Sequence, residues 1–330
     1  MQKLFLHSLA GLAIAISTAT SAQAQSRGLV PGTGVELTQV GDDFEDPDWS
    51  YVPNNPKSTE DIDKQQRQPI GRSSNGRWYE GIKRGHPDIV KRVETPPEGV
   101  PGSQGALLMQ SLYTGIPNRP SHTMHQEDFI CNVQYRLGGS ISAGQSPSIT
   151  TRVFLPPIAE WEQRSGAHFA FRVALEAEAP KKGLFDFSPE KEGDDGVYWP
   201  GLFIVLDSKK QTKLDHDSAY LRVRANQGGG DFKGMQITTT GWWTMGISVT
   251  PDGMVHYYAK PGVEYLTQAD YITSQYPYGR QALRLRSFFY NVVNGDNGRD
   301  WTTPWIVDDA KVFVVRGGQT ASGPSNSRRR

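Results

Sequence analysis

Short apolar segments, each of strand length, recur along the chain from residue 106 to residue 315. They are rich in β-branched and aromatic residues and are separated by clusters of Gly, Pro, Asp and Asn, which is the pattern of strands joined by turns. No segment keeps the 3.6-residue period of an amphipathic helix, although residues 158–164 could form a helical turn or two. The 35 Gly and 22 Pro in 330 residues fit a chain that turns often. The pattern predicts an all-β fold.

One β-hairpin can be predicted from its turn. Residues 250–253 are Thr-Pro-Asp-Gly and lie between two apolar runs, and Asp-Gly favours a tight turn whose twist matches that of the strands it joins. We therefore predict a hairpin over residues 243–259. Strands are predicted over residues 106–113, 129–137, 148–155, 168–178, 202–207, 219–224, 234–240, 243–250, 254–259, 283–292 and 306–315.

Residues 52–105 differ in composition from the rest of the chain, because Pro, Asn, Gln and charged residues dominate them. A loop of this length is usually functional or disordered. No internal repeat is apparent, and strands are predicted to resume after this segment. We therefore predict a single domain over residues 25–316 in which residues 52–105 form a loop-rich excursion.

The two ends of the chain have predictions of their own. Residues 1–24 have the features of a secretory signal peptide, with Lys3 at the positive start, a mostly apolar run over residues 4–16 and an Ala-Gln-Ala cleavage site at residues 22–24. The apolar run is shorter than the ~20 residues that cross a bilayer. We therefore predict an exported protein, periplasmic or extracellular, without a membrane span after cleavage. Residues 317–330 are predicted to form a disordered basic tail.

The charge composition excludes one class of partner. Lys+Arg and Asp+Glu are both 35, so the formal net charge is +0, and no chain-wide basic field attracts nucleic acid. A charged ligand must therefore be bound by a local patch. The single cysteine, Cys131, excludes an intramolecular disulfide, and its apolar neighbours predict a buried, inert thiol.

Three motifs are similar to those of one superfamily. They are residues 41–45 (Gly-Asp-Asp-Phe-Glu), residues 241–258 with the Thr-Pro-Asp-Gly turn, and residues 305–312 (Trp-Ile-Val-Asp-Asp-Ala-Lys-Val). Together they resemble the concanavalin A-like lectin/glucanase (LamG-like) superfamily, here as an exported bacterial protein. The resemblance implies an antiparallel two-sheet jelly-roll sandwich whose first and last strands are adjacent. It does not imply one activity, because this fold occurs in lectins, carbohydrate-binding modules, hydrolases and lyases.

Arginines recur on one face of several predicted strands. Side chains alternate across a strand, so Arg172 lies opposite its apolar neighbours Phe171 and Val173. If such strands are neighbours on a concave sheet, their guanidinium groups would bind the carboxylate or sulfate groups of an acidic polysaccharide. The candidate ligand-binding residues are Arg172, Glu176, Arg222, Arg224, Arg284 and Arg286, with the loop aromatics Trp199 and Trp78. The alternative is a solvated sheet face on which arginines pair with acids.

Two further functions stay open. In a polysaccharide lyase that cleaves a uronate glycan by β-elimination, an arginine would neutralise the carboxylate, and His256 and Tyr258, which share a strand face, would move the protons. The Arg-x-Glu-x-Arg and Gln-(Ile/Val)-His motifs of jelly-roll alginate lyases are absent from the sequence. A non-catalytic structural or cell-surface assembly protein would instead use residues 52–105 and the tail as contact segments.

The resemblance also implies a structural Ca²⁺. Concanavalin A-like domains often hold this ion near the first and last strands, and Asp43, Glu45 and Asp308 occupy the matching positions. Ca²⁺ takes about six to eight oxygen ligands, so these carboxylates and nearby backbone carbonyls would suffice. The sequence contains no phosphate-binding glycine loop, serine nucleophile elbow or paired Cys-x-x-Cys motif, so no other cofactor is predicted.

Overall fold

Two antiparallel β-sheets contain nearly all of the regular structure. The computed structural model describes residues 28–114, 116, 118–178 and 196–315, so the predicted leader and tail lie outside the described residues. The strands are β1 (Val35–Glu36), β2 (Tyr51–Val52), β3 (Arg72–Ser73), β4 (Trp78–Glu80), β5 (Ile89–Glu94), β6 (Gly105–Gln110), β7 (His125–Cys131), β8 (Ile141–Ser142), β9 (Ser148–Leu155), β10 (Gly166–Glu176), β11 (Val197–Tyr198), β12 (Gly201–Asp207), β13 (Ser218–Arg224), β14 (Phe232–Ile237), β15 (Gly241–Val249), β16 (Val255–Pro261), β17 (Tyr271–Gln275), β18 (Arg284–Asn294) and β19 (Trp305–Val314).

Helices are short. The described residues form α1 (Glu60–Asp63), α2 (Val133–Leu137) and 3₁₀ helices at Ala143–Gln145, Ile158–Glu160, Gln268–Asp270 and Pro277–Gly279. The turn at Ile158–Glu160 lies within residues 158–164, where the sequence predicts a helical turn. Among the described residues, no helix has the length and apolar character needed to cross a membrane.

The strand order defines the two sheets. Sheet I has the order β17-β16-β15-β9-β19-β6-β5, and β1 also pairs with β19. Sheet II has the order β14-β13-β12-β10-β18-β7-β4-β3-β2, with β11 beside β10 and β8 beside β18. Val35 pairs with Val314 and Asp42 bridges to Ala310, so the first strand lies beside the last. This topology confirms the predicted antiparallel jelly-roll sandwich.

The core lies between the sheets and is rich in aromatic side chains. Its centre is Trp78, which is fully buried and stacks on Phe129 with ring centroids 5.1 Å apart. Tyr290 also stacks on Trp78, at 5.5 Å. Burial of one large apolar side chain contributes about 1.5–3 kcal/mol, so this cluster is a main source of stability.

The prediction that Trp78 binds a ligand is therefore wrong, because its side chain is fully buried. Trp78 begins β4 and pairs with Cys131 of β7, and it belongs to the core cluster between the sheets. Its indole Nε1 donates a hydrogen bond to Asp42 Oδ2 at 3.0 Å, which satisfies its polar atom. Cys131 is also fully buried, and burial raises the pKa of its thiol to about 12, as expected for an inert cysteine.

The predicted hairpin is present. β15 and β16 pair without a register shift from Trp243 opposite Pro261 to Val249 opposite Val255. Gly253 lies in the connecting turn with a φ of 79°, a region that glycine enters without steric cost. The Asp-Gly signal in the sequence thus identified both the turn and its strands.

One segment differs from its prediction. The strand predicted over residues 129–137 ends at Cys131, and α2 follows. Tyr135 is 85% exposed, and Gly138 ends the helix with a φ of 72°. The apolar residues beyond Cys131 therefore do not continue the alternation that a half-buried strand requires.

Residues 52–105 include α1, β3, β4 and β5, and these strands lie at or near the edges of both sheets. Lys57 anchors this segment, since it is 1% exposed and its Nζ donates hydrogen bonds to Asp88 at 2.8 Å and to the buried Glu127 of β7. The carboxylates raise the pKa of Lys57 against the opposing effect of burial, so the amine stays charged. This anchor places the turn at residues 81–85 beside β7.

Candidate functional site

The outer face of sheet II, on the side away from the core, carries two adjoining cavities. Their volumes are about 320 Å³ and about 560 Å³, and Tyr79, Arg286 and Ser287 border both. We call the two cavities together the groove. The smaller cavity is also lined by Asp61, Gly81, Ile82, Lys83, Arg84, Asp128, Ile130, Ala174, Val197, Trp199 and Phe289, and the larger by Asn132, Gln134, Tyr135, Gly138 and Gly139.

Strand alternation builds the floor of the groove. Ala174 lies between Val173 and Leu175, which face the core, and on β18 the core residue Phe288 lies between Ser287 and Phe289. The same alternation on β7 places Asp128 and Ile130 on the floor, on either side of the core residue Phe129. The walls come from the turn after β4 and from the segment that joins β11 to β12.

Three cations surround the smaller cavity. Lys83 Nζ lies 5.2 Å from the centre of the Trp199 ring. Arg84 pairs with Asp61 at 3.2 Å and more loosely with Asp128 at 3.7 Å. Arg286 is exposed and donates a hydrogen bond from Nε to Gln134 Oε1 at 2.9 Å. With three basic and two acidic side chains, the lining carries a formal excess of one positive charge.

A buried polar row lies beneath the groove. Arg172 is 1% exposed and lies between the rings of Phe203 and Phe289, at 5.4 and 5.3 Å. Its Nε donates to the Trp199 carbonyl at 3.0 Å and its Nη1 to Asn291 Oδ1 at 3.3 Å. The predicted role of Arg172 in direct ligand contact is therefore wrong, because neighbouring side chains enclose its guanidinium. Instead it holds the wall residue Trp199 in place.

Asp128 completes this row. Asn291 Nδ2 donates a hydrogen bond to Asp128 Oδ1, and Asp128 reaches the cavity surface beside Arg84. Burial raises the pKa of Asp128, and the lowering effects of Arg84 and Arg172 do not fully offset it. The carboxyl group is thus held by donors on both sides and is positioned as an acceptor at the cavity floor.

Arg222 and Arg224 lie further along the same face, on β13. Their side chains are 28% exposed and approach Asp231 at 3.4 and 3.9 Å. Both guanidinium groups also lie over Phe203, at 5.1 and 5.8 Å. They share the sheet face with the groove but do not line either of its cavities.

Arg284 and Glu176 lie opposite each other across the pairing of β18 and β10. Glu176 accepts a hydrogen bond from Ser140 Oγ at 2.7 Å, and Arg284 is exposed. Neither residue lines the groove. Of the ligand-binding residues predicted from the sequence, the groove thus contains Arg286 and Trp199.

His256 and Tyr258 lie in the other sheet, on β16 of sheet I. Both are fully buried, and the Tyr258 hydroxyl donates to the Gly28 carbonyl at 2.8 Å. His256 Nε2 and Nδ1 lie 2.8 Å from Thr250 Oγ1 and 2.5 Å from Ser274 Oγ, and burial lowers its pKa. Because the five arginines predicted to bind a ligand are on sheet II, the structure does not bring them together with the proposed proton-transfer pair.

The three predicted calcium ligands do lie together. Asp43, Glu45 and Asp308 line a cavity of about 230 Å³ between the first and last strands. Their oxygens already accept hydrogen bonds, however, since Ser103 Oγ donates to Asp308 at 2.9 Å and the Gln104 N–H donates to Glu45 at 3.0 Å. The described residues contain no group of three or more His, Cys, Asp or Glu side chains that could hold a metal ion. The calcium hypothesis therefore stays a prediction.

Several residues in or beneath the groove were not predicted from the sequence. Asn291, beneath the groove, and Asp128, at its floor, alternate with core residues on β18 and β7, so the pattern that singled out the arginines also contains them. Lys83 and Arg84 give no such signal, because the position of their turn depends on the tertiary pairing of β4 with β7.

The chain has no match among protein-family models or curated proteins. It is similar in structure to a carbohydrate esterase from the Shiga toxin-encoding bacteriophage phi24B, with 10% identity, a TM-score of 0.42 and coverage of 73% of this chain and 91% of that one. For an alginate lyase from Pseudomonas aeruginosa the values are 8%, 0.38, 69% and 86%. For the alginate lyase AlyC3, solved in complex with dimannuronate, they are 9%, 0.36, 64% and 75%. At this level of identity, likeness concerns the fold alone.

Proposed function

We propose that this protein binds an acidic polysaccharide in the groove. The observation that carries the proposal is the position of Arg286, whose exposed guanidinium lies where the two cavities meet. A guanidinium group donates two parallel hydrogen bonds to one carboxylate, which gives both affinity and orientation. A uronate residue of the glycan would place its carboxylate at this junction.

Other groove residues fit the rest of such a ligand. Trp199 is half-buried and Tyr79 borders both cavities, so each offers an aromatic face beside the cations. Burial raises the pKa of Tyr79 despite the nearby Arg286, so its hydroxyl stays protonated and can donate a hydrogen bond. Each cavity has a volume within the usual range of about 300–1,000 Å³ for ligand sites, so the groove has room for more than one sugar.

Binding without catalysis is the function best supported by these contacts. The lyase alternative, as predicted from the sequence, uses His256 and Tyr258, and these residues lie on the other sheet from Arg286. The export predicted from residues 1–24 would bring the groove into contact with polysaccharides outside the cytoplasm. The third alternative, a structural or cell-surface assembly protein, would not need affinity for a glycan.

Isothermal titration with alginate, polygalacturonate and a neutral glucan tests this proposal. We expect saturable binding to at least one uronate polymer that weakens as salt rises. Arg286→Ala should reduce this affinity about tenfold or more, since a hydrogen bond to a charged group contributes about 1.5–3 kcal/mol. Arg284→Ala is the matched control, because it removes an exposed arginine of the same strand from outside the groove.

Two results would overturn the proposal. One is the absence of binding to every uronate polymer, which would favour the structural class. The other is equal affinity in the Arg286→Ala variant and the wild type. Ultraviolet absorbance of the same mixtures detects the unsaturated sugar that β-elimination produces. If this product forms, the protein is a lyase and the proposal of binding without catalysis is wrong.

A further inference from the structure

Trp301 is exposed and lies outside the groove. All eight tryptophans lie in the described part of the chain, and six of them are buried. Trp199 is half-buried at the groove, and Trp301 is 42% exposed. Indole is a large, mostly apolar ring with one polar atom, and such rings are enriched where one face meets a partner.

Trp301 borders a cavity of about 700 Å³ at one end of the sandwich. Three segments form most of it: the connection from β9 to β10, the loop after β12, and the loop between β18 and β19, with Gln110 of β6 beside them. We call this cavity the Trp301 cleft. Its volume lies within the usual range of about 300–1,000 Å³ for small-molecule sites.

Hydrogen bonds between the three segments hold the walls in place. The Glu162 N–H donates to Thr303 Oγ1 at 3.0 Å, and the Ser165 N–H donates to Gln211 Oε1 at 2.8 Å. Thr302, next to Trp301, is 2% exposed, and its N–H donates to the Ser111 carbonyl at 2.9 Å. The indole is therefore presented by a fixed backbone, and little conformational entropy is lost when a ligand binds.

The charges around the Trp301 cleft cancel. Its charged lining residues are the acids Glu160, Glu162 and Asp300 and the bases Arg164, Lys210 and Arg299. Within this set Arg164 is bound to Glu162 through two contacts, at 2.9 and 3.2 Å. The remaining lining offers amides and hydroxyls from Asn297, Gln163 and Thr302. This surface has both donors and acceptors, and it has no net charge and no apolar pocket.

We propose that the Trp301 cleft binds a neutral oligosaccharide, with one sugar ring stacked on the Trp301 indole. A neutral sugar presents an apolar C–H face to an aromatic ring and hydroxyl groups around its edge, each of which both donates and accepts hydrogen bonds. That chemistry matches an exposed indole bordered by mixed polar groups. A carboxylate-rich chain would gain nothing from a lining in which the charges are balanced.

This site is separate from the groove and does not depend on its proposed function. The cleft lies next to Gly166 at the start of β10, whereas the groove contains Ala174 of the same strand. Eight residues of extended strand correspond to about 26 Å. Occupation of one site therefore leaves the other accessible.

Tryptophan fluorescence of the full chain tests the inference. The probes are the neutral hexaoses of β-1,4-glucan, β-1,3-glucan, β-1,4-mannan and β-1,4-xylan. We expect at least one of them to change the emission saturably and to protect it from acrylamide quenching. Titration calorimetry with that hexaose should show affinity at least about tenfold weaker in Trp301→Ala, as expected when an aromatic platform is lost.

Two controls keep the outcome interpretable. Tyr265→Ala removes another aromatic ring, 73% exposed and outside the cleft, and should leave the affinity unchanged. Arg286→Ala should also leave it unchanged, so failure here and failure of the acidic-glycan proposal can be distinguished. The inference is overturned if no hexaose binds the wild type, or if Trp301→Ala binds as tightly as the wild type.

Discussion

At the scale of single residues, His168 shows how burial controls charge. It is 1% exposed on β10, and its ring lies 5.9 Å from that of Trp161. Its Nε2 lies 2.7 Å from the Arg164 carbonyl, so Nε2 carries the proton and donates. Burial lowers the pKa of His168 to about 3, and the nearby Arg164 charge acts in the same direction. The folded protein therefore holds this imidazole neutral.

This burial predicts a pH dependence of stability. The unfolded-state pKa of histidine is about 6.5, so between that value and about 3 the unfolded chain binds a proton that the folded chain cannot. The resulting stability is present above pH 6.5 and is lost as the pH falls. From pH 7 to pH 5 we expect the free energy of unfolding to fall by about 2 kcal/mol through His168 alone.

Urea denaturation at both pH values checks this expectation in the wild type and in His168→Gln. Glutamine can still donate to the Arg164 carbonyl but cannot be protonated. The decrease in stability between pH 7 and pH 5 should therefore be smaller in the variant by about 2 kcal/mol. An identical decrease in both proteins would show that His168 is not neutral in the folded state.

The sequence predicted sheet faces better than it predicted accessibility. Alternation placed Arg172 and Arg286 opposite the core-facing residues of their strands, and the structure has both on the outer face of sheet II. It could not show that Phe203 and Phe289 enclose Arg172 while Arg286 stays exposed. Trp78 shows the same limit, because its neighbours in sequence are polar but its neighbours in space are the core rings.

At the scale of elements, strands were predicted with correct bounds where prolines or turn residues flank them. The strand predicted over residues 148–155 coincides with β9. Pro147 and Pro156 flank it, and proline lacks the N–H that a central strand needs. The strand β17 (Tyr-Ile-Thr-Ser-Gln) has no such signal, because few of its residues are apolar. It is an edge strand, so it needs little apolar pattern to pair with β16.

The hairpin turn gives a second stability prediction. Gly253 has a φ of 79°, and a Cβ there would lie 2.7 Å from the Ala282 backbone nitrogen. Gly253→Ala therefore combines the cost of a left-handed alanine, about 1–2 kcal/mol, with a contact that requires the backbone to move. We expect it to lower the free energy of unfolding by more than about 2 kcal/mol, as measured by urea denaturation.

Gly102→Ala is the matched control for this variant. Gly102 has a φ of 87°, and a Cβ there would meet nothing within 4 Å. In Gly102→Ala the free energy of unfolding should therefore fall only by the cost of a left-handed alanine, about 1–2 kcal/mol. Equal losses in the two variants would show that the contact between the turn and Ala282 does not constrain the hairpin.

At the scale of the whole molecule, the assignment of strands to sheets decided which candidate sites could exist. Alternating strands have the same sequence pattern in either sheet, so the sequence could not show that β16 belongs to sheet I and β13 and β18 to sheet II. The sequence-based lyase hypothesis required His256 and the arginines to share one surface. Sheets packed face to face are about 10 Å apart, and here each set lies on a different outer face of the sandwich.

This separation predicts that His256 and Arg286 act on different properties. His256→Ala removes a buried ring that contacts Thr250 and Ser274, so we expect a loss of about 1–3 kcal/mol in the free energy of unfolding. Its affinity for the uronate polymer should stay within about twofold of the wild type, because distant sites act nearly independently. Arg286→Ala should show the reverse, with weak binding and nearly wild-type stability, since exposed substitutions usually change stability by about 0.5 kcal/mol or less. Urea denaturation and titration calorimetry on the two single variants and the double variant measure stability and affinity. Loss of binding in a stably folded His256→Ala protein would mean that the two faces of the sandwich are coupled.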